Sequence, residues 1–195
     1  MLFRSEQLVF NSIEQGLNAR VFRPALISPT IHGDGYNFDI AIRLLSFMVK
    51  HKITTLAQNQ VSFTPVDIGA HNIVAISNSD DSIGLTFHVT RDNFACMKDI
   101  TNILGQLTHS SFSEFSLKDF VPEVVNRCGK EDLLFPLLNF LVRSVENISS
   151  MEFKLYNNDN FVTFRNKCKA GKADPTLMEV TQGIYSFMQA NQLID

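Results

Sequence analysis

Ser5-Glu6-Gln7-Leu8-Val9-Phe10-Asn11-Ser12-Ile13-Glu14-Gln15-Gly16, followed at once by Ala19-Arg20-Val21-Phe22-Arg23-Pro24-Ala25-Leu26, decides the fold class. Leu8, Val9 and Ile13 fall on one side of a helix over Ser5 to Gln15, and Gly16 stops it. Val21, Phe22, Ala25 and Leu26 then make an apolar strand over Ala19 to Leu26, interrupted by Pro24. A short helix closed by glycine and followed directly by a strand is an α/β unit.

Outward from this unit the pattern continues. Ser28 to Tyr36 holds Pro29, Gly33 and Gly35, turn chemistry that lets backbone come close to something else. Phe38 to Val49 is apolar on nearly every side and predicts a covered helix. Gln60 to Thr64 reads as a strand and Val66 to Ser77 as a helix, with Asp67 placed to cap it. Ile83 to Thr90 alternates through Leu85, Phe87 and Val89 as a further strand. Beyond Arg91 the chain turns helical: Phe94 to Leu107, Leu117 to Cys128, Glu131 to Val145 and Leu177 to Ala190 carry apolar residues at helical spacing, with a short strand or turn over Phe112 to Ser116 between the first two. Asp174-Pro175 supplies an N-cap and first-turn proline for the last helix, and Cys168 to Ala173 reads as a loop. We expect an α/β chain: a remnant of a Rossmann-type parallel sheet with a substrate-loop insertion over residues 1–90, then a mostly helical subdomain over 91–195.

Composition narrows the function. The chain has 195 residues, 45% hydrophobic and 19% charged, enough apolar material for a core. A net charge of -3 argues against a nucleic-acid surface. No run of apolar residues is long enough to span a membrane, and Met1 to Phe10 has no signal-peptide core. Cys96, Cys128 and Cys168 fit neither a zinc site nor a disulfide framework, which points to a reducing, cytoplasmic setting. The five His residues are scattered, so no metal site is expected.

Dinucleotide chemistry needs a strand, a glycine-rich turn and a helix that receives the pyrophosphate. Only Gly33-Asp34-Gly35 approaches this, and Phe38 stands where the third glycine belongs. Carbonyl reduction of the short-chain type needs a Tyr with a Lys four residues on. Tyr36, Tyr156 and Tyr185 are followed at that distance by Ile40, Asn160 and Gln189, so no catalytic residue is assigned.

Several segments, in order, resemble the later part of thioester reductase domains, extended short-chain dehydrogenase relatives found in peptide and polyketide synthetases and carboxylic acid reductases. They are Ser5-Glu6-Gln7-Leu8-Val9, Gly16-Leu17, Val21-Phe22-Arg23-Pro24-Ala25-Leu26-Ile27, Gly35-Tyr36-Asn37-Phe38-Asp39, Phe63-Thr64-Pro65-Val66-Asp67 and Phe87-His88-Val89. Phe135-Pro136-Leu137 and the final helix with Gln192-Leu193 match more loosely. The family's Arg-Pro-Gly reads Arg23-Pro24-Ala25 here, and its catalytic Lys would fall on Leu2 with the Tyr before Met1. The resemblance implies the substrate-binding, C-terminal portion of an NADPH-dependent reductase of acyl thioesters, inactive alone.

It also implies cofactor proximity, in an intact parent, for Arg23, Pro24, Ala25, Leu26 and Ile27, with no NADPH binding by this chain alone. Phe38, Pro65, Asp67 and His88 become the substrate side, and a carrier protein with its phosphopantetheine arm becomes the partner. Alternatives stay open for single residues. Arg23 could touch a phosphate or pair with a buried carboxylate; Asp67 could simply cap its helix; His88 could be a satisfied core histidine; Lys169 and Lys172 could meet a phosphate or sit in a solvated loop. Two other functions remain: a non-enzymatic carrier-docking or self-associating module, predicted to dimerise over Ala19 to Leu26, and a nucleotide-sugar epimerase or dehydratase, which fits Phe-Thr-Pro-Val-Asp less well.

Overall fold

A computed structural model describes residues 4–35, 38–151 and 156–194. Leu2 and Tyr36-Asn37, singled out above, lie outside them. The chain is mixed α/β, with six short strands in three parallel pairs among the described residues. Helix α1 (Arg4–Glu14) leads to β1 (Val21–Pro24) and β2 (Leu26–Ser28). The single strand expected over Ala19 to Leu26 is thus two: β1 pairs with β5 (Thr86–Val89), and β2 pairs with β4 (Phe63–Pro65). Ala25 is the switch, its N–H donating to Val89 O at 3.1 Å. The third pair, β3 (Ile53–Thr55) with β6 (Ser113–Phe115), includes a strand too short to show a sequence period.

Helices α2 (Ile40–His51), α4 (Met97–Thr108) and α8 (Leu177–Ala190) form the main body. Each starts for a local reason. Asp39 accepts the Ile42 N–H at 3.0 Å to open α2. Cys96 and Asp99 close a capping box on α4, whose start lies three residues later than the apolar spacing suggests. For α8 the cap is Thr176 with Glu179, not Asp174. Asp174 is drawn away instead by the buried Arg91, which it meets at 3.1 and 3.2 Å, while Arg91 also donates to Pro175 O. Leu45, Met48, Leu104, Ile184, Phe187 and Met188 are fully shielded where these helices meet. Burying such side chains contributes about 1.5–3 kcal/mol each.

The glycine-bearing loop after β2 closes on α8. Gly33 has φ +90°, and a Cβ there would meet Ser186 Cβ at 2.8 Å. From the other side, a Cβ on Gly183 would run into Thr30 O. What these glycines let come close is therefore a helix.

Helix α3 (Val66–Ser77) begins with Pro65 as its N-cap, so Asp67 sits inside the first turn and does not cap. Helices α5 (Leu117–Arg127) and α6 (Leu138–Ser150) follow. The helix expected from Glu131 starts only at Leu138, because Asp132 folds back to accept the Gly129 N–H and a single 3-10 turn, Phe135–Leu137, intervenes. Helix α7 (Asp159–Lys167) is an addition to the expected set. Its Phe161 and Phe164 join Ile76, Phe87 and Val89 in a second, smaller apolar cluster under β5.

Candidate functional site

Alternation along the parallel pair β1·β5 sorts its side chains. Phe22 and Phe87, register partners, stack at 5.1 Å on the face covered by α3 and α7. Arg23 and His88, also register partners, project to the other face. There Glu6 of α1 takes Arg23 in a two-point pair, Nε to Oε1 at 3.0 Å and Nη2 to Oε2 at 2.7 Å. That hydrogen bonding, with the Glu6 charge, raises the Arg23 pKa further above its usual value, against a smaller lowering by burial. Arg23 Nη1 lies 3.3 Å from His88 Nε2, and His88 Nδ1 lies 2.8 Å from Asn157 O. A carbonyl only accepts, so Nδ1 carries the hydrogen and Nε2 accepts from Arg23. Arg23 is thus paired with a carboxylate, and both His88 ring nitrogens have partners.

Beside this array opens a cleft of about 960 Å³. Its floor is Pro24, Ala25 and Leu26, where the chain leaves β5 for β4. One wall is Asn59 to Ser62, ahead of β4; Thr90 and Phe94, beyond β5, add another side. Ile148 and Met151 at the end of α6, with Tyr156, complete it, and Tyr156 leans over His88 with ring centres 5.7 Å apart. Asn59 ties the wall to α6 by donating to Ile148 O at 2.6 Å. The lining is mainly apolar with a few polar groups, in the size range of small organic ligands. Its position, beyond the carboxyl ends of β1 and β5 where the strand changes partner, is where ligands bind in open α/β sheets.

Of the residues picked from sequence, the cleft gathers Arg23, Pro24, Ala25, Leu26 and His88. It does not gather Ile27, Phe38, Pro65 or Asp67. Phe38 packs on Phe187 at 5.6 Å, Pro65 is buried in β4, and one Asp67 carboxylate oxygen is buried without a hydrogen-bond partner. Glu6, Asn59, Gln60, Val61, Ser62, Thr90, Phe94, Ile148, Met151 and Tyr156 are additions. Only Glu6 left a signal, since an arginine inside an apolar strand asks for a carboxylate.

Neither polar feature that the sequence offered for a phosphate is free to hold one. The Gly33 turn is filled by α8, and the Arg23 guanidinium is committed to Glu6 and His88. No three His, Cys, Asp or Glu side chains come together as metal ligands among the described residues. No helix among them is long and apolar enough to cross a membrane.

No protein-family model matches the chain. Among curated proteins, the chain is 26% identical over 170 residues to the nonribosomal peptide synthetase hkm10 of Aspergillus hancockii, covering 83% of the chain but 16% of that protein. The terminal R domain of the myxalamid PKS-NRPS pathway superposes with a TM-score of 0.83 at 18% identity, over 96% of the chain and 48% of that domain. A thiolation-reductase di-domain from an archaeal nonribosomal peptide synthetase gives 0.74 at 14% identity, over 98% and 40%. The reductase domain of the aureusimine cluster gives 0.71 at 14%, over 96% and 49%. The chain therefore spans about half the length of the solved structures it matches. Across that span it has the fold of the terminal reductase domains of peptide and polyketide synthetases.

Proposed function

We propose that the chain forms the acyl-binding side of an NADPH-dependent thioester reductase, with residues 1–90 as the sheet portion and 91–195 as the helical substrate subdomain. The observation that carries this is the cleft at the strand switch, which brings Arg23 to Leu26 together with His88 beside an apolar wall. In this reading Pro24, Ala25, Leu26 and Ile27 approach the nicotinamide end of the cofactor in a complete reductase. Phe38, Pro65 and Asp67, outside the cleft's lining, are assigned to the substrate side with His88. The Glu6–Arg23–His88 array fixes the floor against α1. A carrier protein delivers the acyl group on its phosphopantetheine arm, and the chain by itself does not turn over. Titrating NADPH into the purified chain, by fluorescence or calorimetry, is expected to show no binding tighter than about millimolar. Tight binding with conversion of a thioester to an aldehyde would overturn the reading.

A second reading, a self-associating module, is favoured by one specific feature. Among the described residues β1 pairs with β5 alone, leaving its other edge without a strand. Nearby, α1 buries no residue, and Leu8 and Leu17 are at least half exposed. Open strand edges and bare apolar faces recruit partners. Sedimentation is then expected to show a dimer that buries Ala19 to Leu26. A 22.0 kDa monomer at high concentration would remove this reading.

A further inference from the structure

Tyr156-Asn157-Asn158-Asp159-Asn160 is a polar run with one ring at its head. Its polar groups are spent on β5 and the residues just past it. Asn157 O accepts from His88 Nδ1 at 2.8 Å, and Asn160 Nδ2 donates to Thr86 O at 3.1 Å. Asn158 Nδ2 donates to Thr90 Oγ1 at 3.0 Å and to Arg91 O at 2.9 Å. These ties fasten the run along the strand, and they hold Tyr156 at the cleft, its ring centre 5.7 Å from that of His88. His88 is itself held by Arg23 on its other nitrogen, so the ring rests on a fixed support. Tyr156 is 53% exposed, so core packing does not account for how firmly it is placed.

The hydroxyls on the cleft's lining are those of Ser62, Thr90 and Tyr156. Ser62 Oγ accepts the Arg91 N–H at 2.9 Å, and Thr90 Oγ1 donates to Arg91 O at 3.2 Å. The Tyr156 hydroxyl has no partner among the described residues. Below it the charged groups are matched to one another, Arg23 with Glu6 and His88 between Arg23 and Asn157. Tyrosine suits such a place, since its ring packs against apolar matter while its hydroxyl stays wet until a ligand atom replaces the water. Resting on the acyl-binding reading above, we infer that Tyr156 is a binding residue of this cleft, its hydroxyl donating to the carbonyl oxygen of the bound acyl thioester. This donor comes from the segment ahead of α7 and has Asn160, not Lys, four residues on. Its role is orientation: one fixed donor on one oxygen sets which way the acyl group lies, and no proton is transferred.

The test uses the full chain and two probes: the octanoyl thioester of N-acetylcysteamine, isotopically labelled at the thioester carbonyl, and the octyl thioether of the same thiol, which lacks that oxygen. Calorimetry on Tyr156→Phe, which keeps the ring, is expected to show thioester affinity lowered roughly threefold to tenfold, one hydrogen bond's worth, with thioether affinity unchanged. In infrared difference spectra the labelled carbonyl stretch is expected at lower frequency when bound to the unaltered chain, and back at its unbonded position in the variant. A merely structural tyrosine would weaken both probes alike and leave the stretch where it was. Binding of both probes with a stretch that Tyr156→Phe does not move overturns the inference and leaves the acyl-binding reading standing. Binding of neither probe removes that reading and the inference with it.

Discussion

Where α2, α4 and α8 meet, Leu45, Met48, Leu104, Phe187 and Met188 are sealed from solvent, whereas the eleven residues of α1 bury none. The two regions are held by different physics. The helical body rests on apolar burial, continuous from Ala41 to Met188. Helix α1, by contrast, reaches β1 through an ion pair, Glu6 with Arg23, whose side chains are 18% and 34% exposed, while β1 itself is held by β5 and the Phe22–Phe87 stack. Exposed pairs of this kind contribute about 0.2–1 kcal/mol. The cleft lies on the seam between them, lined from both sides.

The contrast can be broken by experiment. Phe187→Ala, at the centre of the body, is expected to cost about 3–5 kcal/mol in chemical denaturation; a loss under 1 kcal/mol would mean the body is not the core. Asp174→Ala leaves Arg91, 4% exposed, buried without its carboxylate and is expected to cost about 3 kcal/mol. Asp132 gives a pH test. Burial pushes its pKa up, but Lys50, the Gly129 N–H and His51 together hold it below the usual carboxyl value. A lowered folded pKa means stability present above the unfolded value, near 4, and lost as pH falls through the folded one. Asp132→Asn is therefore expected to cost about 1 kcal/mol at neutral pH and to flatten the acid limb of the stability curve. Smallest of all, Glu6→Gln is expected to cost under about 1 kcal/mol overall while speeding amide exchange through α1 and β1. A cooperative loss of the whole fold on Glu6→Gln would erase the distinction between the regions.

Helices with strong apolar spacing, such as α2, α3 and α8, could be read from the chain because their period survives without knowledge of neighbours. Strand β3 has three residues, too few for a period, and α7 presents only Phe161, Val162 and Phe164 among polar residues. The break at Ala25 was hidden for another reason. Val21 to Leu26 reads as one strand interrupted by Pro24, and it is the competition of β5 and β4 for the same chain that divides it at Ala25. For the site, Arg23 and His88 were visible as polar residues in apolar strands. The Asn59 to Ser62 wall, Phe94 and Tyr156 carry no local mark, since they are brought in by a bridge to Ala95 and by the loop ahead of α7.

The interlock of Gly33 and Gly183 has a mechanical corollary. With no room for even a methyl group at either contact, a side chain added at Gly33 or Gly183 would have to wedge loop and helix apart.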